Sequence, residues 1–304
     1  MSRHTLLLVV SCLAAVALTV FVPTSFAGTA SRWESAGVCA LGFAVGAFGT
    51  MIGAGGGFLI VPFLLLVYHM DPARAAGTSL AVVLLNALTG TGAYITQKRI
   101  DYRAGLAFGI ASLPGAFVGS YLSSRIPMGP FQVGFGVLLL GVAALVVFGY
   151  PRADRLARVR EATREEGAWI VPRRLTDALG ETFEYRYNES IGVQVSFFVG
   201  ILSSVLGIGG GVIHVPALTF LLGFPPHIAT ATSHFVLSIT AAAGLSSHYT
   251  QGHVDMGLSL LMGAGAVCGA PVGARLARRM HGRLILRLLA IGIAALAVRL
   301  LWRW

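Results

Sequence analysis

Two long apolar stretches of this chain, residues 36–69 and 190–224, are each interrupted by three consecutive glycines, and the interruptions are copies of one another. Gly53-Ala54-Gly55-Gly56-Gly57 with Pro62 lies over Gly207-Ile208-Gly209-Gly210-Gly211 with Pro216 at an offset of 154 residues. The same offset carries Gly46–Arg125 onto Gly200–Arg279 without a gap and with 26 identities in 80 positions. Among them are Thr78-Ser79 over Thr232-Ser233, Gln97 over Gln251 and Asp101 over Asp255. A fixed period of this kind describes architecture before it describes chemistry.

The lengths of the two stretches, 34 and 35 residues, are informative. One membrane span needs about 20 apolar residues and two need about 40 plus a turn. A helix broken near its middle at the glycines fits better than either. Unwound backbone is tolerated at membrane depth only where it is buried in protein or faces a water-filled cavity, so the breaks are expected to face inward. Length alone leaves open whether each stretch crosses the bilayer or returns like a hairpin.

The membrane setting follows from composition. Hydrophobic residues make up 56% of 304 positions and charged residues 11%, and the mean hydropathy is +0.79. These values lie outside the range of soluble domains. Apolar segments occur near 5–23, 36–69, 75–97, 103–124, 130–149, 190–224, 229–250, 255–276 and 283–302. The expected fold class is therefore an all-α, polytopic membrane protein with two homologous repeats and Gly-broken helices, placed in the cell's inner (plasma) membrane. Repeat 1 is expected over 36–150, a polar connector over 151–189 and repeat 2 over 190–304. Residues 1–35 form an N-terminal membrane helix or signal segment. Arg3 and His4 precede an apolar run ending in Thr24-Ser25-Phe26-Ala27-Gly28, but that run exceeds the usual apolar core of a signal peptide, which favours a retained helix.

The net charge of +10 resides largely in arginines of the connections, as expected of membrane orientation signals and not of nucleic-acid binding. Lys98, Arg99 and Arg103 make one connection of repeat 1 basic. The equivalent connection in repeat 2, 252–255, has no Lys or Arg, whereas Arg275, Arg278, Arg279 and Arg283 crowd the following one. If both basic turns are cytoplasmic, the copies have opposite orientations, as in inverted-repeat transporters. Within the connector, Arg152–Glu166 reads as a solvated helix of mixed charge, and 170–189 reads as a hairpin turning near Ala178–Gly180. Cys12, Cys39 and Cys268 have no metal-ligand spacing and read as buried thiols; no metal or cofactor is expected.

Glycine triplets remove Cβ, permit positive φ and let backbone amides converge on one point, while a half-helix starting just after them presents its positive end there. Gly55, Gly56 and Gly57 with Gly209, Gly210 and Gly211 are thus candidate amide donors to a small anion, and close helix packing is the competing use of such glycines. The hydroxyls of Thr78, Ser79, Thr232 and Ser233 could donate to the same anion or cap the next helix. Gln97, Gln251, Asp101 and Asp255 sit at the membrane edge, where a turn or gate role is expected. All twelve acidic residues fall in connections or at helix ends, which argues against a sodium site or proton relay built on a buried carboxylate. Histidine remains: His234 and His214, present only in repeat 2, are candidates for coupling proton to anion movement, against a neutral structural role. No Walker loop, nucleophile elbow or His-Glu-x-x-His helix occurs, so no catalytic residue is assigned and an enzyme or ATP-driven pump is disfavoured.

The segments Gly53–Pro62 and Gly207–Pro216, with Pro225-Pro-His-Ile-Ala-Thr-Ala-Thr-Ser-His234, resemble the TauE/SafE sulfite exporter family, and Pro172–Phe183 is similar to the central loop of one branch of it. The resemblance covers roughly 36–302. It implies a polytopic inner-membrane protein of about eight helices in two repeats that moves sulfite, organosulfonates or related anions. A small anionic substrate and the lipid bilayer are then the expected partners, without nucleic acid, and a homo-oligomer is left open. A passive anion channel and a non-transporting membrane scaffold or assembly protein are the alternatives.

Overall fold

The computed structural model describes residues 32–163 and 169–302. The apolar run at 5–23 lies outside the described residues.

The chain runs through α1 (Arg32–Ile52), α2 (Gly57–Val67), α3 (Pro72–Gln97), α4 (Tyr102–Ser123) and α5 (Met128–Thr163). A hairpin of β1 (Ile170–Thr176) and β2 (Thr182–Asn188) follows. Then come α6 (Glu189–Leu206), α7 (Gly211–Pro216, extended by a π-helical turn at Ala217–Leu221), α8 (Pro226–Thr250), α9 (Met256–Arg279) and α10 (Gly282–Trp302). Seven of these helices are long and apolar enough to cross a membrane. The protein is a polytopic helical membrane protein. The charged helix expected after residue 151 is a continuation of α5 as far as Thr163.

The helix order is set by small residues. A Cβ placed on Gly265, Gly269 or Gly273 of α9 would strike the backbone oxygens of Cys39, Phe43 or Ala47 of α1. On α4, Gly115 and Gly119 meet the oxygens of Phe197 and Ile201 of α6 in the same way. Only glycine lets two backbones approach this closely, which is how membrane helices gain contact without a hydrophobic drive between them. Both lists ascend together, so α1 runs parallel to α9 and α6 parallel to α4. The N-terminal half of the chain is therefore packed into the C-terminal half, helix by helix.

These pairings also settle the path of the Gly-broken stretches. Arg74, at the start of α3 just after α2, bonds Asp255, the cap of α9, at 3.1 Å, and α1 begins at that same end because it runs parallel to α9. Both ends of the α1–α2 unit thus lie at one end of the bundle, and the glycines turn the chain back. Likewise α6 enters beside Arg103, which bonds Glu189, and α7 returns to Phe224, which packs on Tyr185 and Tyr187. Each stretch folds back at its glycines as a re-entrant hairpin whose first arm, α1 or α6, is long enough to cross, and the two enter from opposite ends. Sequence length fits both shapes; the close backbone contacts separate them.

Both basic turns lie at one end. The Gln97 side chain at the close of α3 donates to the Ala274 carbonyl near the close of α9 at 3.0 Å, which brings Lys98, Arg99 and Arg103 beside Arg275, Arg278, Arg279 and Arg283. The β-hairpin is at this same end.

Candidate functional site

The tips of the two re-entrant hairpins meet. A Cβ on Gly57 would lie 2.6 Å from the Gly207 oxygen, and one on Gly211 would collide with the Gly53 oxygen. Gly55 and Gly209 both face the same two side chains, Val83 of α3 and Leu237 of α8. Gly53, Gly55, Gly56, Gly207, Gly209 and Gly210 all have φ between 69° and 88°, a region costly for residues bearing Cβ. α2 and α7 start at Gly57 and Gly211 behind the left-handed N-caps Gly56 and Gly210, and neither end receives a side-chain cap. The N–H groups of Leu59 and Ile213 turn back to the Gly56 and Gly210 carbonyls at 3.0 Å, and the N–H groups before them have no partner within their own helix, so two positive helix ends face the same central region.

Four hydrogen bonds join this region to the long helices, in two pairs related by the 154-residue offset. Ser79 donates to the Gly207 carbonyl at 2.8 Å, and Ser233 donates to the Gly53 carbonyl at 3.1 Å. The Asp255 N–H donates to Thr78 Oγ1 at 3.0 Å, and the Asp101 N–H donates to Thr232 Oγ1 at 3.0 Å. All four hydroxyl residues are buried. They neither cap their own helices nor point at free space; they tie the glycine turns and the aspartate turns of one half to the helices of the other. Asp101 and Asp255 cap α4 and α9 through the N–H groups of Ala104 and Leu258.

His234 is buried in the first hairpin's flank. Its Nε2 lies 3.3 Å from Thr50 Oγ1, Thr50 donates to Asn86 Oδ1 at 3.1 Å, and Asn86 Nδ2 donates to the Gly55 carbonyl at 3.1 Å. Thr50 has one proton, and Asn86 receives it. The imidazole must therefore donate from Nε2, leaving Nδ1 as the nitrogen able to accept a proton. Tyr94 closes the cluster with its ring centroid 5.8 Å from that of His234 and its hydroxyl donating to the Thr50 carbonyl at 2.7 Å. His214 is bound by the same logic: its Nε2 is 3.1 Å from Ser196 Oγ, whose proton goes to the Gly192 carbonyl. The two histidines flank different glycine turns.

Sequence reading missed Thr50, Asn86 and Tyr94. Asn86 carried a usable signal, an amide in the middle of an apolar helix, where an unpartnered polar group is costly. Thr50 and Tyr94 carried none. Of the cysteines, Cys268 is buried and Cys39 half-buried, and neither forms a disulfide among the described residues; Cys12 lies outside the described residues.

At the basic end, a second polar cluster forms around Asp101. Arg173 of β1 holds it with two bonds of 2.9 Å, and the hydroxyl of Tyr185, the cross-strand partner of Arg173, donates to Asp101 Oδ2 at 2.7 Å. Burial and the neighbouring carboxylate push the Tyr185 hydroxyl well above its ordinary range. The hairpin tip is anchored too: Arg99 bonds Asp177 at 2.7 Å with both side chains almost wholly buried, and the Ala178 N–H donates to the Gln97 carbonyl. Burial opposes ionisation of Asp177, but Arg99 and the N–H groups of Leu179 and Glu181 outweigh it and hold the carboxyl below its usual range. The equivalent of Asp101, Asp255, has a single ion pair with Arg74, whose side chain is 54% exposed.

Comparisons with known proteins point to a family of membrane transporters. The family model described as sulfite exporter TauE/SafE matches residues 38–300. The probable membrane transporter protein YunE of Bacillus subtilis is 34% identical over 269 residues, covering 86% of this chain and 95% of that protein. The probable membrane transporter protein MJ0441 of Methanocaldococcus jannaschii is 25% identical over 264 residues, covering 81% of this chain and 88% of its own. A shorter match, 31% over 98 residues, 30% of this chain and 21% of the relative, is to a sulfite exporter TauE/SafE family protein 3 of Arabidopsis thaliana. No solved structure matches. With the family model spanning nearly all of the described fold and YunE 34% identical over most of both chains, the chain belongs to the TauE/SafE sulfite exporter family.

Proposed function

We propose that this membrane transporter is a secondary carrier of small anions, with sulfite, organosulfonates and related sulfur-containing anions as the substrate class, working by alternating access where the two glycine turns meet. One observation carries the reading: two uncapped helix N-termini, brought in from opposite ends, open on one central region that holds hydroxyls and an imidazole but no carboxylate. Backbone amides of Gly56, Gly57 and Gly209–Gly211 would hold the anion, joined by that of Gly55 once it leaves the Gly49 carbonyl to which it now donates at 3.2 Å. Ser79 and Ser233, with Thr78 and Thr232, would exchange their present acceptors and donors as the turns separate, and His234, aided by His214, would take up a proton at Nδ1.

The energies are compatible with a cycle. Interhelical hydrogen bonds in membranes average about 0.6 kcal/mol, so the four that join the halves here sum to roughly 2–3 kcal/mol. Binding a substrate with millimolar to micromolar affinity releases about 4–8 kcal/mol. Ligand binding can therefore drive their rearrangement.

The test is flux in proteoliposomes, together with thermal shift, against sulfite, thiosulfate, taurine, sulfoacetate and simple carboxylates. Saturable flux with counterflow for a sulfur oxyanion is expected. Flux without saturation or counterflow would favour a channel, and no response to any sulfur anion would remove the substrate class. His234→Ala is expected to flatten the pH dependence of flux in folded protein; an unchanged profile removes His234 from coupling.

A further inference from the structure

The two aspartate turns are built alike but fastened differently, and the difference leads to the connector. From Asp101 a continuous line of contacts reaches the first glycine turn: Asp101 N–H to Thr232, the adjoining Ser233, then Ser233 to the Gly53 carbonyl. From Asp255 the matching line runs through Thr78 and Ser79 to Gly207. At the outer end of the first line stand Arg173 and Tyr185; at the outer end of the second stands Arg74 alone.

We propose that the Ile170–Asn188 hairpin is a one-sided latch, in which Arg173 and Tyr185 act as positioning residues that hold the Asp101 turn, and through Thr232 and Ser233 the first glycine turn, in the closed arrangement. The hairpin also grips the far end of the second re-entrant unit: the ring centroid of Phe224, just after α7, is 4.7 Å from that of Tyr185 and 5.0 Å from that of Tyr187, and Phe108 of α4 lies 5.9 Å from Tyr187. One β-hairpin thus holds together the turn between α3 and α4, α4 itself and the segment after α7. Asp101 has no exposure and takes three bonds from Arg173 and Tyr185, whereas Asp255 keeps part of its surface in solvent and faces an Arg74 side chain that is 54% exposed, where an ion pair contributes little. The latched end is therefore the harder one to open.

The sidedness follows from charge. Short basic connections remain in the cytoplasm, and here Lys98, Arg99, Arg103, Arg173, Arg174, Arg186 and the arginines at the close of α9 share one end with the hairpin. The latch is cytoplasmic, and release of the hairpin opens the cytoplasmic side.

This inference rests on the carrier reading for its meaning, but its test does not need a substrate. Hydrogen exchange is measured on the full-length protein in lipid nanodiscs for residues 98–104 and 226–233, with 72–79 and 255–259 as the matched unlatched line. Arg173→Ala is expected to speed exchange in 226–233 by about tenfold, the equivalent of ~1.4 kcal/mol, while leaving 72–79 unchanged. Tyr185→Phe, which removes one hydroxyl and keeps the fold, gives a smaller rise at the same place. Arg173→Lys restores part of the protection. Unchanged exchange at 226–233, or an equal rise at 72–79, overturns the latch. In proteoliposomes that show flux, Arg173→Ala is expected to alter the maximal rate from the cytoplasmic side more than KM; an equal change from both sides overturns the one-sided role. If no anion moves through the unaltered protein, the carrier reading fails, and the exchange result still decides the latch.

Discussion

The Asp101 turn and the Asp255 turn use one design with different fastenings. Each aspartate caps a helix and gives its N–H to a threonine of the other half, and that threonine adjoins a serine that holds a glycine turn. Asp101 is wholly buried under Arg173 and Tyr185, whereas Asp255 faces a largely exposed Arg74. Equivalent scaffolding therefore does not make equivalent gates. What distinguishes the ends, among the described residues, is the polar segment that carries the β-hairpin.

The strongest way to break this comparison is at the shared scaffold. Gly115→Leu and Gly269→Leu occupy equivalent positions, each against a backbone oxygen of the neighbouring helix. Overpacking costs about 1–3 kcal/mol where side chains can yield, and backbone cannot yield so easily. Both variants are expected to lose the monodisperse peak in detergent chromatography; retention by one alone would show that the helix pairs do not contribute equally.

Next in size is the fastening. Asp177→Ala leaves Arg99 buried without its partner and is expected to cost about 3–5 kcal/mol, against at most about 1 kcal/mol for Arg74→Ala, read as thermal midpoints in the same detergent. Equal shifts would erase the distinction between the ends. The pH dependence sharpens it further. Because the folded carboxyl of Asp177 titrates below its ordinary value of 3.8, its contribution is complete above that value and is lost as pH falls through the lower, folded one. Exchange protection of 170–188 should thus persist at pH 5 and fall in the acid range below about 3.8, and loss already at pH 5–6 would assign the docking to another group.

The smallest expected effect concerns the histidine that only one half possesses. His234 corresponds to Leu80, and His234→Leu makes the two positions alike. The variant loses one interhelical hydrogen bond, about 0.6 kcal/mol, so it should fold, and its flux should lose pH dependence. A preserved pH profile would assign coupling elsewhere, with His214 the first to examine.

Much of this was readable from residues. The glycine triplets marked the turns, the half-helices start at the last glycine of each triplet, Gly57 and Gly211, one residue ahead of the start expected just after it, and Ala178–Gly180 lies in the hairpin turn as the sequence indicates. The return of the Gly-broken stretches was not readable, because a broken crossing helix and a re-entrant hairpin have the same length and hydropathy. Nor was the use of Ser79, Ser233, Thr78 and Thr232. A hydroxyl at a helix start has the same local pattern whether it caps, binds a ligand or reaches a carbonyl 128 or 180 residues away. Arg173 was visible only as one arginine of a polar connector, since nothing local pairs it with Asp101.

The interleaving of the halves has a bearing on how the protein is made. α1 leaves the ribosome long before α9, its closest neighbour, exists, and its glycine-lined face must wait in the bilayer beside lipid. The first half is therefore an assembly intermediate by construction, and quality control must tolerate it until the last third of the chain is inserted. Each half can find its final shape only by threading its re-entrant unit into the other, so the whole chain, rather than either copy, is the unit on which folding and degradation compete.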